Sequence, residues 1–160
     1  MTYFAAVLSR INDVWSGDEL DLEVVEDLDG LVERLRDAAD GGTALLFLEE
    51  DDEYVAIVRV DDDLDPRIFI SDARAGATSA LAAMVLEDTA VEAPEEDEDE
   101  EEGTRPIEEP AGDDYIVGDF GITAATLLSL CAEKGMLPAD VITAICEKAG
   151  CIEALEDLRG

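Results

Sequence analysis

Thr43-Ala44-Leu45-Leu46-Phe47-Leu48, then Glu49-Glu50-Asp51-Asp52-Glu53, then Tyr54-Val55-Ala56-Ile57-Val58-Arg59-Val60 is the stretch whose pattern decides the fold. A short continuous apolar run, bounded by Gly41-Gly42 before it and acids after it, predicts a central buried strand. The acids from Glu49 to Glu53 predict a charged hairpin turn, and the β-branched run from Tyr54 returns antiparallel to the first strand. A third strand, Arg67-Ile68-Phe69-Ile70, follows the turn Asp61-Asp62-Asp63-Leu64-Asp65-Pro66. Together the three strands form an antiparallel meander with a face that helices must cover.

Upstream, apolar residues at Leu28, Leu31, Val32, Leu35 and Ala39 lie on one stripe of a helix. Acids at its start suit the positive end of the helix dipole, and Gly41-Gly42 stops it. Tyr3-Phe4-Ala5-Ala6-Val7-Leu8 predicts a further strand, with Glu19-Leu20-Asp21-Leu22 returning beside it after a turn at Ser16-Gly17-Asp18. Downstream, the alanine-rich segment from Asp72 to Leu86, with Leu81, Met84 and Val85, predicts another helix. Residues 1–86 therefore predict an α+β domain, an N-terminal antiparallel sheet with covering helices.

From residue 87 to 112 the periodicity disappears. Pro94, Pro106 and Pro110 punctuate a stretch dominated by Glu and Asp, with an unbroken acidic run from Glu95 to Glu102. Like charges at this density repel and leave no apolar face to bury, which predicts an acidic disordered linker. Two readings of the run compete: a solvated spacer, and a mimic of a nucleic-acid backbone. The spacer is favoured, because mimicry needs charges fixed in space. Residues 113–160 predict a small helical subdomain. Thr123 caps a helix carrying Leu127, Leu128 and Cys131, which Gly135 ends; Pro138 and Asp140 open a second with Val141, Ile142, Ile145 and Ala149, which Gly150 closes; Ile152, Leu155 and Leu158 mark a third. So small a unit makes a marginal core alone, so it is expected to dock on the sheet or on a partner.

Composition removes whole classes of function. The 160 residues contain no histidine, and ten Lys plus Arg stand against 43 Asp plus Glu, a formal net charge of -33. Ser-His-Asp and Cys-His nucleophile arrangements cannot be built within the chain. The field repels a polyanion, which argues against direct nucleic-acid binding and favours a basic protein partner. A hydrophobic content of 48% is nevertheless enough for a packed core. No apolar stretch approaches the roughly 20 residues that cross a bilayer. The N-terminus lacks a basic region ahead of its apolar residues, so the expectation is a cytoplasmic protein with no membrane partner.

Cys131, Cys146 and Cys151 lack paired CxxC spacing; Cys131 follows Leu127 and Leu128 at helical spacing, and Cys146 follows Ile142 and Ile145. They predict small buried hydrophobes over zinc ligands. Asp61, Asp63, Asp65 and Asp72 occupy positions 1, 3, 5 and 12 of an EF-hand-like register, yet Pro66 stands where the loop needs glycine and Asp72 where a longer Glu gives bidentate reach. These predict solvated turn acids. Gly118-Asp119-Phe120-Gly121 lacks the strand context and lysine of a phosphate loop. The expectation is therefore no catalytic, metal or cofactor residue.

The order of segments carries a resemblance. Tyr3-Phe4-Ala5-Ala6-Val7-Leu8, Glu26-Asp27-Leu28-Asp29-Gly30-Leu31, Leu45-Leu46-Phe47-Leu48-Glu49-Glu50-Asp51-Asp52-Glu53-Tyr54, Val58-Arg59-Val60 and Pro66-Arg67-Ile68-Phe69-Ile70-Ser71-Asp72 closely resemble the tRNA adenosine deaminase-associated proteins of actinobacteria. Leu137-Pro138-Ala139-Asp140-Val141 and Ala154-Leu155-Glu156-Asp157-Leu158-Arg159 resemble the same family's ending. The resemblance implies an association with a tRNA adenosine deaminase, the enzyme that makes the wobble inosine, and carries no catalytic or binding residue onto this chain. Zinc nucleoside deaminases need an H-x-E segment and a later P-C-x-x-C, which this chain lacks. Two function classes follow, with a third beside them. The first is a non-catalytic accessory protein whose acidic surface meets a deaminase. The second is an enzyme working through Glu49, Glu50, Asp51, Asp52 and Asp72, acids expected to be exposed and unperturbed in turns, unlike catalytic carboxylates. The third is a free-standing acidic protein.

Overall fold

The computed structural model describes residues 3–12, 14–20, 25, 27–39, 41–50, 54–61, 66–71, 80–85, 111–112, 115–132 and 137–159. The apolar run becomes β3 (Thr43–Glu50), paired with β1 (Tyr3–Ile11) on one side and β4 (Tyr54–Asp61) on the other. With β2 (Val14–Glu19), β5 (Arg67–Ile70) and the two-residue β6 (Ala111–Gly112), it builds an antiparallel sheet of order β2-β1-β3-β4-β5-β6. The expected α+β class and meander are present in β3, β4 and β5.

Both faces of the sheet are covered, which explains why Leu45, Leu46, Phe47 and Leu48 are all fully buried. On one face lies α1 (Leu28–Ala39), whose buried residues are Leu28, Leu31, Val32, Leu35 and Ala39, the stripe expected from their spacing. The Asp27 carboxylate accepts the Gly30 N–H (2.9 Å) and caps its start, and Gly41, at φ 87°, takes the left-handed conformation just past its end. Beside it α2 (Ala80–Val85) buries Ala82, Met84 and Val85. The rest of the expected helix from Asp72 to Leu86 falls outside the described residues.

The opposite face carries the C-terminal helices. α3 (Ala124–Ala132) begins where Thr123 Oγ1 accepts the Thr126 N–H (3.1 Å). α4 (Pro138–Ala149) opens with Pro138 at its first turn and the Asp140 carboxylate accepting the Leu137 N–H (3.2 Å); Gly150 ends it, and α5 (Ile152–Arg159) follows. Their apolar residues, including Leu127, Ile142, Ile145 and Leu155, share one core with Leu8, Leu45, Phe47, Ile57 and Phe69 of the sheet. Docking on the sheet gives this short helical unit the buried area that it lacks alone.

Two details differ from the sequence-based expectation. The first hairpin turns between Ile11 and Val14, with Asn12 left-handed at φ 56°, and Ser16-Gly17-Asp18 lies inside β2. Gly17 marks a close approach there: a Cβ on it would stand 2.8 Å from Leu8 Cδ2 and 3.2 Å from the Ala154 carbonyl of α5. Glu49 and Glu50 are strand residues opposite Val55 and Tyr54, so they are not turn residues.

Candidate interaction surface

Strands β1, β4 and β5 place three arginines, Arg10, Arg59 and Arg67, on the face covered by the C-terminal helices. Arg59 and Arg67 are direct cross-strand partners, a like-charge pairing that destabilises a sheet unless anions meet it. The segment between β6 and α3 meets it. Arg59 is only 5% exposed, and its Nη1 and Nη2 donate to Asp119 Oδ1 (2.6 Å) and Oδ2 (2.8 Å). Nη1 also donates to the Ile116 carbonyl (2.8 Å), and Nε donates to Asp61 Oδ2 (2.9 Å). The guanidinium lies 4.8 Å from the Phe120 ring centre, and that of Arg10 stands 5.7 Å from the same ring centre. Trp15 meets Phe120 edge-on at 5.5 Å, and Arg67 Nη2 donates to the Tyr115 carbonyl (3.0 Å).

Burial alone would lower the Arg59 pKa, but the hydrogen bonds and charges of Asp119 and Asp61 outweigh it and raise the value further. The Arg59 hydrogen bond likewise holds the Asp119 carboxyl below its ordinary value, against partial desolvation. All of Arg59's donor nitrogens are thus engaged internally, so this cluster fastens the fold and does not present a ligand site.

With these cations turned inward, the outer surface is left acidic. Asp18 and Glu19 on β2, Asp27, Asp29, Glu33 and Asp37 around α1, and Glu153, Glu156 and Asp157 on α5 are exposed. Arg34 and Lys148 are the exposed cations among the described residues. A shallow cleft of about 360 Å³, lined by Tyr3, Phe4, Ala5, Glu19 and Leu20, opens where β2 leaves β1.

The carboxylates singled out in the sequence are not brought together. Glu49 and Glu50 project to opposite faces of β3 and are 9% and 3% exposed, which corrects the expectation that they are solvated. Their burial follows from β3 running on between β1 and β4: Glu50 stands opposite both Tyr3 and Tyr54, and the Tyr54 hydroxyl donates to its Oε1 (2.8 Å). Asp51, Asp52 and Asp72 lie outside the described residues, as do Asp63 and Asp65 of the EF-hand-like register. Asp61, the first of that register, is taken up within the sheet by Arg59 and by the Thr43 hydroxyl (2.7 Å). Among the described residues no group of three or more potential ligands is placed to hold a metal ion. The three cysteines are not disulfide-bonded and all are buried. No helix among the described residues is long and apolar enough to cross a membrane.

Sequence reasoning missed the arginine cluster. Its signal was present in Arg10, Arg59 and Arg67, three cations inside otherwise apolar strands, and in the Asp119-Phe120 pair, which was weighed only as part of a phosphate loop.

Comparison with known proteins fits this arrangement of elements to one family. No curated protein and no solved structure matches the chain. A family model described as Rv3753c-like tRNA adenosine deaminase-associated protein matches residues 3–152, from the first strand into the last helix. That span takes in the six described strands and α1 to α4 and reaches the first residue of α5, and the chain belongs to the Rv3753c-like tRNA adenosine deaminase-associated protein family.

Proposed function

We propose that this protein is a non-catalytic accessory of a tRNA adenosine deaminase and binds it through an acidic surface. The observation that carries this reading is the separation of charge among the described residues: Arg59 is buried and the half-buried Arg10 and Arg67 are engaged within the fold, while acids on β2, α1 and α5 face solvent with few exposed cations beside them. An enzyme that handles tRNA needs a basic face for the phosphate backbone. An acidic partner of complementary shape would meet that face, raise the association rate and compete with the nucleic acid. Such an accessory would chaperone, tune or inhibit the enzyme without needing chemistry of its own.

Titration of the deaminase with this protein at two ionic strengths tests the reading. The expected result is a complex at low salt that weakens as salt rises, since exposed charges are screened beyond about 10 Å at 0.1 M. Absence of any complex at low salt would sink it. The second reading, a carboxylate enzyme, gains from the burial of Glu50 beside Tyr54. It loses more, because Glu49 and Glu50 point away from each other across the sheet and cannot act on one substrate atom.

A further inference from the structure

β2 ends the sheet, and its outward edge has features that select a partner. The Leu20 N–H donates to the Ala5 carbonyl (3.0 Å), so the antiparallel alternation makes Val7 with Asp18, Ser9 with Ser16 and Ile11 with Val14 the hydrogen-bonded pairs. Trp15, Gly17 and Glu19 therefore turn their backbone N–H and C=O groups away from β1. The register runs from Val14 to Glu19 without a bulge, and the strand contains neither proline nor lysine, the usual devices that close an edge. Among the described residues, what guards this edge is negative charge. Asp18 and Glu19 project from opposite faces of the strand and both are exposed. α5, packed close to Gly17, adds exposed Glu153, Glu156 and Asp157 near the second face.

We infer that β2 is a docking edge for an extended, lysine- or arginine-rich segment of a partner protein, which adds to the sheet as a further strand. Main-chain bonds to Trp15, Gly17 and Glu19 hold the added strand, and basic side chains at adjacent positions along it meet Asp18 on one face and Glu19 on the other. A second copy of this chain is the wrong occupant: two molecules of net charge -33 would bring their acids together along the shared edge. An edge guarded by acid repels neutral and acidic strands least and most, respectively, and admits a basic one.

The inference rests on the proposal above only for the sign of the partner's charge, and it is tested without the deaminase. The 160-residue protein is titrated at low salt with an octapeptide that repeats Lys-Lys-Val-Val, which carries lysines on both faces of a strand, while amide exchange is followed residue by residue. The expected result is slowed exchange at Trp15, Gly17 and Glu19, with no slowing when the peptide carries N-methyl groups on its pairing edge. Glu19→Pro removes an outward N–H without touching the bonds to β1, and should weaken peptide binding about fivefold beyond Glu19→Gln, the worth of one net backbone hydrogen bond. Equal binding of the N-methylated peptide would reduce the surface to charge alone and overturn the inference. So would protection of the Trp15, Gly17 and Glu19 amides without peptide, which would mean self-pairing, or no binding at all. If those three amides stay unprotected with peptide while the deaminase complex still forms, only the edge inference fails; if the peptide docks and no deaminase complex forms, only the functional proposal fails.

Discussion

Arg59 on β4 and Asp119, 60 residues further along the chain, form a two-pronged ion pair with oxygen to nitrogen distances of 2.6 and 2.8 Å. It joins the sheet to the segment that leads into the C-terminal helices. The same guanidinium lies over Phe120 and reaches the Ile116 carbonyl, so one side chain holds three residues of that segment, Ile116, Asp119 and Phe120, to the sheet.

Arg59→Ala should lower stability by about 3–5 kcal/mol, because it strands Asp61 and the Ile116 carbonyl in a largely buried site. Arg59→Lys should recover only part of that loss, since an ammonium cannot reproduce the fork. Asp119→Asn should cost about 1 kcal/mol or less, because the Asp119 side chain is 60% exposed and water screens the pair. Urea midpoints of the three variants at neutral pH check the order.

The pH dependence of the same pair has a definite sign. Asp119 is held below its ordinary carboxylate value in the folded state by the Arg59 hydrogen bond, so its contribution is complete above the unfolded value and is lost as pH falls through the folded one. Wild type and Asp119→Asn should therefore differ most at neutral pH and converge in acid, below the ordinary carboxylate range. Paired urea titrations across that range give the difference directly and cancel the relief of repulsion that protonation of the many other acids brings to both proteins.

What the sequence disclosed and what it hid follow one physical division. Periodicity reports burial, so the α1 stripe, the central strand β3 and the apolar faces of α4 and α5 were legible from spacing. Charge does not report burial. Acids after an apolar run usually mark a turn, so the pattern alone puts Glu49 and Glu50 in one, and only pairing with β1 and β4 draws them into the sheet. Glycine usually marks a turn too, which points to Ser16-Gly17-Asp18, whereas Asn12 supplies the left-handed residue and Gly17 lets α5 approach. The arginine cluster was hidden for a further reason: its partner segment is distant in sequence, and no local pattern links Arg59 to Asp119.

Gly17→Ala separates these two roles of glycine. In an ordinary edge strand alanine would be neutral or stabilising, because glycine carries the larger entropy loss on folding. Here the new Cβ would stand 2.8 Å from Leu8 Cδ2 and 3.2 Å from Leu158 Cδ1, and Leu8 is fully buried. The substitution should instead destabilise by about 1–3 kcal/mol as α5 is pushed outward. Trp15, the only tryptophan, sits on the same strand and should report the displacement as a change in fluorescence alongside the shifted urea midpoint.

The cysteines give a prediction that sets accessibility against intrinsic reactivity. Cys151 is held below its ordinary thiol value by a hydrogen bond from the Cys146 side chain, which outweighs the effect of burial. A depressed thiol is the more reactive one once a reagent reaches it. Yet Cys146 is 0% and Cys151 1% exposed, packed with Ile142, Ile145 and Leu155 against the sheet, and Cys131 is 6% exposed in the same core. Burial should win. Maleimide labelling of the native protein should be slower than that of the urea-unfolded chain by about a thousandfold or more, the protection that even a modest folding free energy confers. Arg59→Ala should speed the labelling of all three thiols together, because the helices that cover them share one core with the segment Arg59 fastens. Rapid labelling of Cys151 alone in the folded wild type would show instead that α5 opens separately from the rest of the C-terminal layer.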